Sequence, residues 1–345
     1  MMVIAALAVL ALAGTGVLYQ QLGARRGALR CPAPGTLIDA GSRRLHVVSA
    51  GSGAPAVLFE AGIAASSVSW SHVLPKVATM VRACAYDRAG LAWSDTDPRP
   101  RTLAHILEDL ELVIERSAIT SPMVLVGHSF GCFVICAYAK KHPSAVAGLV
   151  LVDPPATSEW QSPTPDRRRL LRRGIRLSYV GGALARLGFV RASLALLTGG
   201  APRIPGTLIR TLGPTADAKL RHLVTQVRKL PREVYPVVQE HWCDPKCFSA
   251  LAGNLRVLQE AAAFVGSLDT LQNLPVVVIS SGQLPADQLR EHAEFARLSS
   301  SGRHAIAQRS GHWIQFDEPD LIVEAIRSLL GSYSTGASTT PPSNR

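Results

Sequence analysis

Met123-Val124-Leu125-Val126-Gly127-His128-Ser129-Phe130-Gly131 decides how this chain is read. The apolar run Met123 to Val126 predicts a buried strand. Gly-His-Ser-Phe-Gly follows at once, and Cys132 to Lys141 reads as a helix. Strand, G-x-S-x-G and helix together make Ser129 a candidate nucleophile on a very tight turn. Such a turn leaves little room for side chains at Gly127 and Gly131. It pushes the Ser129 hydroxyl out at the sheet edge. It also aims the Phe130 amide, at a helix N-terminus, into the same space.

With three further blocks, the chain resembles the α/β-hydrolase fold family over roughly residues 35 to 330. The blocks are Phe59-Glu60-Ala61-Gly62, Tyr86-Asp87-Arg88-Ala89-Gly90 with Ser94, and Ser310-Gly311-His312-Trp313. The resemblance implies an α/β fold: a mostly parallel, eight-stranded sheet with helices on both faces. It also implies a nucleophile–acid–histidine triad. Cys132 and Ala92 stand where the family often has glycine; both are small, so local repacking is expected.

The chain has 345 residues, is 47% hydrophobic and has a mean hydropathy of +0.18, so a large core is expected. The net charge is +11, unevenly placed. Between Pro154 and Leu274 there are 17 Lys and Arg against 8 Asp and Glu. That concentration, with no aromatic-interleaved basic motif, argues against a nucleic-acid binder. It fits a basic face toward an anionic membrane surface or an acidic substrate. The six cysteines do not make a disulfide framework in a chain of this length. Cys243-Asp-Pro-Lys-Cys247 reads as a small disulfide loop or half a metal site, with no second Cys or His pair at ligand spacing to complete it. Neither a metal nor a cofactor is expected.

Residues 1 to 24 carry no charged side chain, and Arg25, Arg26 and Arg30 follow. A single-pass membrane anchor is expected. A signal peptide cleaved after Ala11-Leu12-Ala13 is the alternative, although no basic region precedes the apolar run. Arginines on the C-terminal flank alone would leave the remainder cytoplasmic. Residues 25 to 35 read as a linker. The core is expected over 36–153 and 275–330, with antiparallel strands at Thr36-Leu-Ile-Asp and Arg44-Leu-His-Val-Val and strands over Ala56 to Phe59 and Ala78 to Ala85. Asp87 and Arg88 read as an ion pair pinning a loop beside the pocket. Leu103, Ile106, Leu107, Leu110, Val113 and Ile114 recur at helical spacing.

After the strand Val146 to Val152 the strand–helix alternation stops until about Asn273. Residues 154–274, with helical stretches over Arg167 to Tyr179, Ala216 to Lys229 and Phe248 to Val265, are expected to be the cap or lid that the family carries over its pocket. Gly181-Gly182, Gly199-Gly200 and Pro202 to Gly206 read as breaks between its pieces. A strand over Pro275 to Ser280, a helix over Ala286 to Leu298, a strand over His304 to Gln308 and a helix to Leu330 complete the core. The Ser-, Thr- and Pro-rich tail 331–345 reads as disordered.

A serine hydroxyl needs a base. The family order of nucleophile, acid and histidine assigns that base to His312, in the loop after the last strand. The second oxyanion donor implied by the resemblance is the Ile63 N–H, paired with that of Phe130. For the acid, the family's usual loop offers Gln283 and then Asp287, which sits where a helix starts. Asp153, directly at the end of the strand after the elbow, is preferred, and Asp287 is the alternative. The expectation is a serine hydrolase cleaving a carboxylic ester, or related acyl bond, of a small or lipid-like substrate. Haloalkane dehalogenases and epoxide hydrolases of this fold use an aspartate where Ser129 stands. A lyase, an acyltransferase or a catalytically silent binder of an apolar ligand are the alternatives.

Overall fold

In the computed structural model, residues 1–198 and 225–337 are described. Helix α1 (Met2–Arg30) leads into β1 (Thr36–Asp39), β2 (Arg44–Ala50) and β3 (Val57–Glu60). Then come α2 (Leu74–Ala78), β4 (Ala83–Tyr86), α3 (Leu103–Arg116), β5 (Met123–His128), α4 (Phe130–Lys141) and β6 (Val146–Val152). The insertion carries α5 (Thr157–Gln161), α6 (Pro165–Arg186), α7 (Phe189–Thr198), α8 (Tyr235–Cys243) and α9 (Pro245–Gly266). β7 (Val276–Ser281), α10 (Ala286–Ala296), β8 (Gly302–Ala307), α11 (Ile314–Asp317) and α12 (Pro319–Ala337) complete the core.

The eight strands form one sheet in the order β1-β2-β4-β3-β5-β6-β7-β8. β1–β2 and β2–β4 pair antiparallel and every later pair is parallel. β5, with every residue buried, sits between β3 and β6 near the middle. Strands buried on both faces need no polar alternation, which is why Met123 to Val126 is a continuous apolar run. One face packs under α3, α4 and α9, the other under α2 and α12. Ile106, Leu110 and Val113 form the buried stripe of α3.

Several boundaries differ from the expected ones. The expected strand over Ala78 to Ala85 divides: α2 ends at Ala78, a turn follows, and β4 spans only Ala83–Tyr86. Apolar content alone does not separate a helix end from a strand start. Gly181 and Gly182 lie inside α6, where they let the Phe248 ring approach the helix backbone. Gly199-Gly200, Pro202 to Gly206 and 216–224 of the expected cap helix lie outside the described residues. α1 continues through Arg25, Arg26 and Arg30, good helix formers, so only Cys31 to Gly35 of the expected linker is non-helical. α12 likewise runs to Ala337, past the expected start of the tail. The insertion is not a separate layer, since Val257, Leu258, Ala261, Ala262 and Val265 of α9 belong to the main core.

The expected Asp87–Arg88 pair is also redistributed. Adjacent residues at a strand end diverge, and each finds a different buried partner. Asp87 lies 2.8 Å from His46 Nδ1 and accepts the Ser67 amide at 2.7 Å. Arg88, 1% exposed, donates to the Glu60 carboxylate and to the Ala61 and Gly62 carbonyls. Burial pushes the Glu60 carboxyl up, against the opposing pull of Arg88 and the Tyr86 hydroxyl. Removing one partner of a buried pair strands the other charge. Arg88→Met should therefore cost about 3–5 kcal/mol in chemical unfolding, and adding Glu60→Gln should recover part of that loss.

Candidate active site

The turn between β5 and α4 is as tight as its two glycines require. A side chain at Gly127 would meet the Cys132 amide at 2.7 Å, and one at Gly131 would meet the Glu60 carbonyl oxygen at 2.5 Å. Ser129 itself has φ 53° and ψ −124°, a strained conformation for a residue with a Cβ. Its amide donates to the Val152 carbonyl at 2.9 Å, tying the turn to β6. Cys132 fills the place of the missing third glycine, its Sγ 3.1 Å from the Gly127 carbonyl. Ala92 takes a φ of 39°, the conformation a glycine adopts without strain, and its amide donates to His241 Nδ1 at 2.6 Å.

His312 and Asp153 come together although they are far apart in sequence. His312 Nδ1 lies 2.7 Å from Asp153 Oδ2. The other carboxylate oxygen, Oδ1, accepts the Ser281 amide from the end of β7 at 2.8 Å. The Asp153 side chain is 4% exposed and that of His312 is 43% exposed, so the carboxylate is enclosed while the imidazole reaches solvent. Asp153 also has a positive φ, 46°, which turns the chain at the strand end. Asp287, in contrast, lies on the exposed first turn of α10 with no hydrogen bond to His312.

Gly62, Ile63, His128, Ser129 and His312 line one cavity of about 200 Å³. A side chain at Gly62 would come within 3.7 Å of Ser129 Cβ, so the backbone after β3 runs directly past the serine. Among the described residues, neither the Ile63 nor the Phe130 amide donates a hydrogen bond within the protein. Arg88 holds the Gly62 carbonyl, and in a trans peptide the following N–H points the opposite way. The Ile63 amide therefore faces away from Arg88. Asn254 Nδ2 of α9 donates to the Ile63 carbonyl at 2.8 Å and holds the next peptide.

The remaining wall is mainly apolar: Val68, Leu230, Val237, Trp242, Trp313 and Phe316 contribute. Among the described lining residues none is Asp, Glu, Lys or Arg. No group of three or more His, Cys, Asp or Glu side chains among the described residues is placed to hold a metal. Cys243 and Cys247 are both free and buried.

Two cavity histidines escape a reading of the sequence. His128, beside Ser129, lies in the cavity wall. Its Nε2–H donates to the His312 carbonyl at 2.8 Å, and Nδ1 faces the Gln315 amide group at 3.3 Å. His241 comes from α8, which no motif marks; its Nε2 lies 3.0 Å from Cys247 Sγ. Burial pushes His128 down to about 3 and His241 down to about 4, so both rings are neutral near pH 7.

Comparison with known proteins agrees with this architecture. A family model described as alpha/beta hydrolase fold matches residues 55–174. The chain has the α/β-hydrolase fold. It superposes on a thermophilic esterase from Thermogutta terrifontis with a TM-score of 0.61 and 20% identity, over 86% of this chain and 97% of that one. It is 25% identical to a haloalkane dehalogenase of Sphingobium indicum, over 85% of this chain and 94% of that protein. It is 26% identical to the probable transporter efuK of Hormonema carpetanum, over 86% of this chain but 43% of that protein. The chain thus spans less than half the length of several curated relatives it matches.

The depressed histidines carry a pH signature. His128 and His241 are neutral in the folded protein and titrate near 6.5 when unfolded. Their contribution to stability is full above about pH 6.5 and is lost as pH falls through about 4 and then about 3. The unfolding midpoint in urea should fall between about pH 7 and about pH 4. The double variant His128→Gln/His241→Gln should show a shallower fall over the same window.

Proposed function

We propose that this α/β hydrolase is a serine hydrolase that cleaves a carboxylic ester, or related acyl bond, of a small or lipid-like substrate. The observation that carries the reading is Ser129 on its strained turn facing the same cavity as His312, with His312 Nδ1 2.7 Å from Asp153. His312 Nε2 takes the Ser129 proton as Oγ attacks the acyl carbonyl, and Asp153 stabilises the imidazolium that forms. The Ile63 and Phe130 amides receive the oxyanion. Their donors are free within the protein, and the α4 N-terminus adds a favourable dipole. The imidazolium returns the proton to the leaving alcohol, giving an acyl-serine. Water, activated by His312, then releases the acid and restores the hydroxyl.

The absence of charged side chains among the described lining residues supports a substrate that is neutral and apolar near the scissile bond. Haloalkane dehalogenase chemistry is disfavoured despite the relative of that name, because Ser129 stands where those enzymes place aspartate. A silent binder of an apolar ligand would need neither the paired His312–Asp153 nor free amides beside the serine.

Fluorophosphonate labelling tests the reading. Wild type should label and Ser129→Ala should not; turnover of a panel of esters of increasing chain length should fall by about 10⁶ in the variant. Labelling and turnover that survive the substitution would place the nucleophile elsewhere, and a wild type that fails to label would return the chain to the binder reading. Asp153→Asn should lower turnover by about 10⁴, while Asp287→Asn should leave it close to wild type. The reverse ranking, with both variants folded, would move the acid role to Asp287.

The reading also places the protein at a membrane. α1 is one helix long and apolar enough to cross a bilayer, and among the described residues no other qualifies. Leu7 and Leu10 are exposed in the fold, so lipid is their natural solvent. The full chain should resist alkaline carbonate extraction. Leu7→Asp/Leu10→Asp, at a cost of about 3 kcal/mol per charge, should release it. Secreted material beginning near Gly14 would instead establish a signal peptide.

A further inference from the structure

α6 has two unlike faces. Leu171, Ser178, Gly182 and Ala185 turn inward, and the helix packs on α9. On the other side, Leu170, Leu177 and Leu184 recur every seventh residue and remain 55%, 56% and 41% exposed, with Val180 at 54% beside them. Spacing of this kind draws one apolar line along a helix. Arg169, Arg173 and Arg176 flank the line on one side, all exposed. The helix contains a single carboxylate, Asp166, which meets Arg169 at 3.0 Å. Arg173 and Arg176 pair with no carboxylate among the described residues.

The second observation concerns where α1 sits. Ala13, Gly16, Gln20, Gly23 and Gly27 fall on one side of that helix and are its protected positions. Gly16 lies against the Leu187 carbonyl, at the C-terminal end of α6; Gly23 lies against Arg191, and Gly27 against Glu240. Gln20 donates to the Cys243 carbonyl at 2.9 Å and accepts from Arg191 at 3.0 Å. Glu240 of α8 takes Arg191 at 2.7 Å and Arg30 at 2.7 Å. The C-terminal half of α1 is thus built into the insertion, and its exposed apolar half leaves from the end of α6.

We propose that the outer face of α6 and the apolar half of α1 form one membrane-embedding surface that recognises an anionic bilayer. The proposal rests on α1 being an anchor and adds what that anchor does to the insertion. α1 held by Gly16, Gln20 and Glu240 does not tether a freely tumbling domain; it sets α6 at the bilayer surface. There the leucine line enters the boundary between headgroups and acyl chains. The arginine stems lie along the apolar surface while their guanidinium groups stay among the phosphates. Basic side chains near an anionic leaflet are drawn to it electrostatically. A soluble partner matches the apolar line but leaves unanswered why the flank is all arginine. Charge complementarity and continuity with α1 both select lipid. The bilayer then lies one helix from the catalytic cavity, because α8 grips α1 through Glu240 and lines that cavity with Val237 and Trp242.

The test uses the full chain in vesicles of phosphatidylcholine and phosphatidylglycerol. The background is Cys31→Ser, since the other cysteines are buried. An environment-sensitive fluorophore is placed by Leu177→Cys, by Val9→Cys in α1, or by Glu115→Cys on the exposed surface of α3. The probe at 177 should shift to the blue and lose about half its emission to a doxyl lipid labelled near the headgroups, while the probe at 115 stays wet. Arg169→Gln/Arg173→Gln/Arg176→Gln, or pure phosphatidylcholine, should remove most of that quenching. A probe quenched at 9 but wet at 177 would overturn the proposal and leave the anchor standing; wet probes at both would remove the anchor as well. A blue shift at 177 without doxyl quenching would assign the face to a protein partner or a second copy. Quenching indifferent to the glutamine variant and to lipid charge would overturn anionic recognition.

Discussion

The close approach of α4 to the end of β3 is the constraint on which the site depends. Gly131 sits against the Glu60 and Ala61 carbonyls at a separation no side chain tolerates, so the first turn of α4 lies directly beside the loop that leaves β3. Arg88 closes the arrangement from the other side, holding the Glu60 carboxylate and the next two carbonyls of that loop. One guanidinium therefore sets the direction of the peptide whose N–H belongs to Ile63. The Phe130 ring lies 5.4 Å from the same guanidinium, so both candidate oxyanion amides belong to residues organised around one buried cation.

The candidate site is assembled from strand ends. Ser129 follows β5, Asp153 follows β6, Ser281 ends β7 and His312 lies beyond β8, and these strands are consecutive neighbours in the sheet. Parallel pairing brings their C-terminal ends to one edge, the usual place for a site in an open α/β sheet. Asp153, the proposed acid, departs from the family's more frequent position. β6 and β7 are adjacent and parallel, so their ends deliver a carboxylate to nearly the same place. The Ser281 amide, at the end of the strand that usually supplies the acid, instead donates to Asp153.

The insertion contributes on both sides of the cavity. α9 joins the core and holds the Ile63 carbonyl through Asn254, while α8 lines the cavity and grips α1. The insertion, the loop after β3 and the apolar N-terminal helix are thus joined by polar links: Asn254 to Ile63, Gln20 to Cys243 and Arg30 to Glu240.

What the residues alone determined was local. Met123 to Val126 is a buried strand because its apolar run allows little else in the middle of a parallel sheet. Gly127, Ser129 and Gly131 define the elbow because the turn has no room for Cβ atoms at the flanks. The regular spacing in Leu103 to Ile114 specifies α3, which spans Leu103–Arg116. What only the tertiary structure decided were the partnerships between distant residues. Arg88 pairs with Glu60 and not with Asp87, α9 belongs to the core and not only to the cap, and His128 and His241 enter the cavity wall. Spacing along a chain reports the period of a helix or a strand. It carries no record of which buried charge will need which partner once β3, β4 and β5 lie side by side, and that need, set by the cost of stranding a charge away from water, is resolved by packing alone.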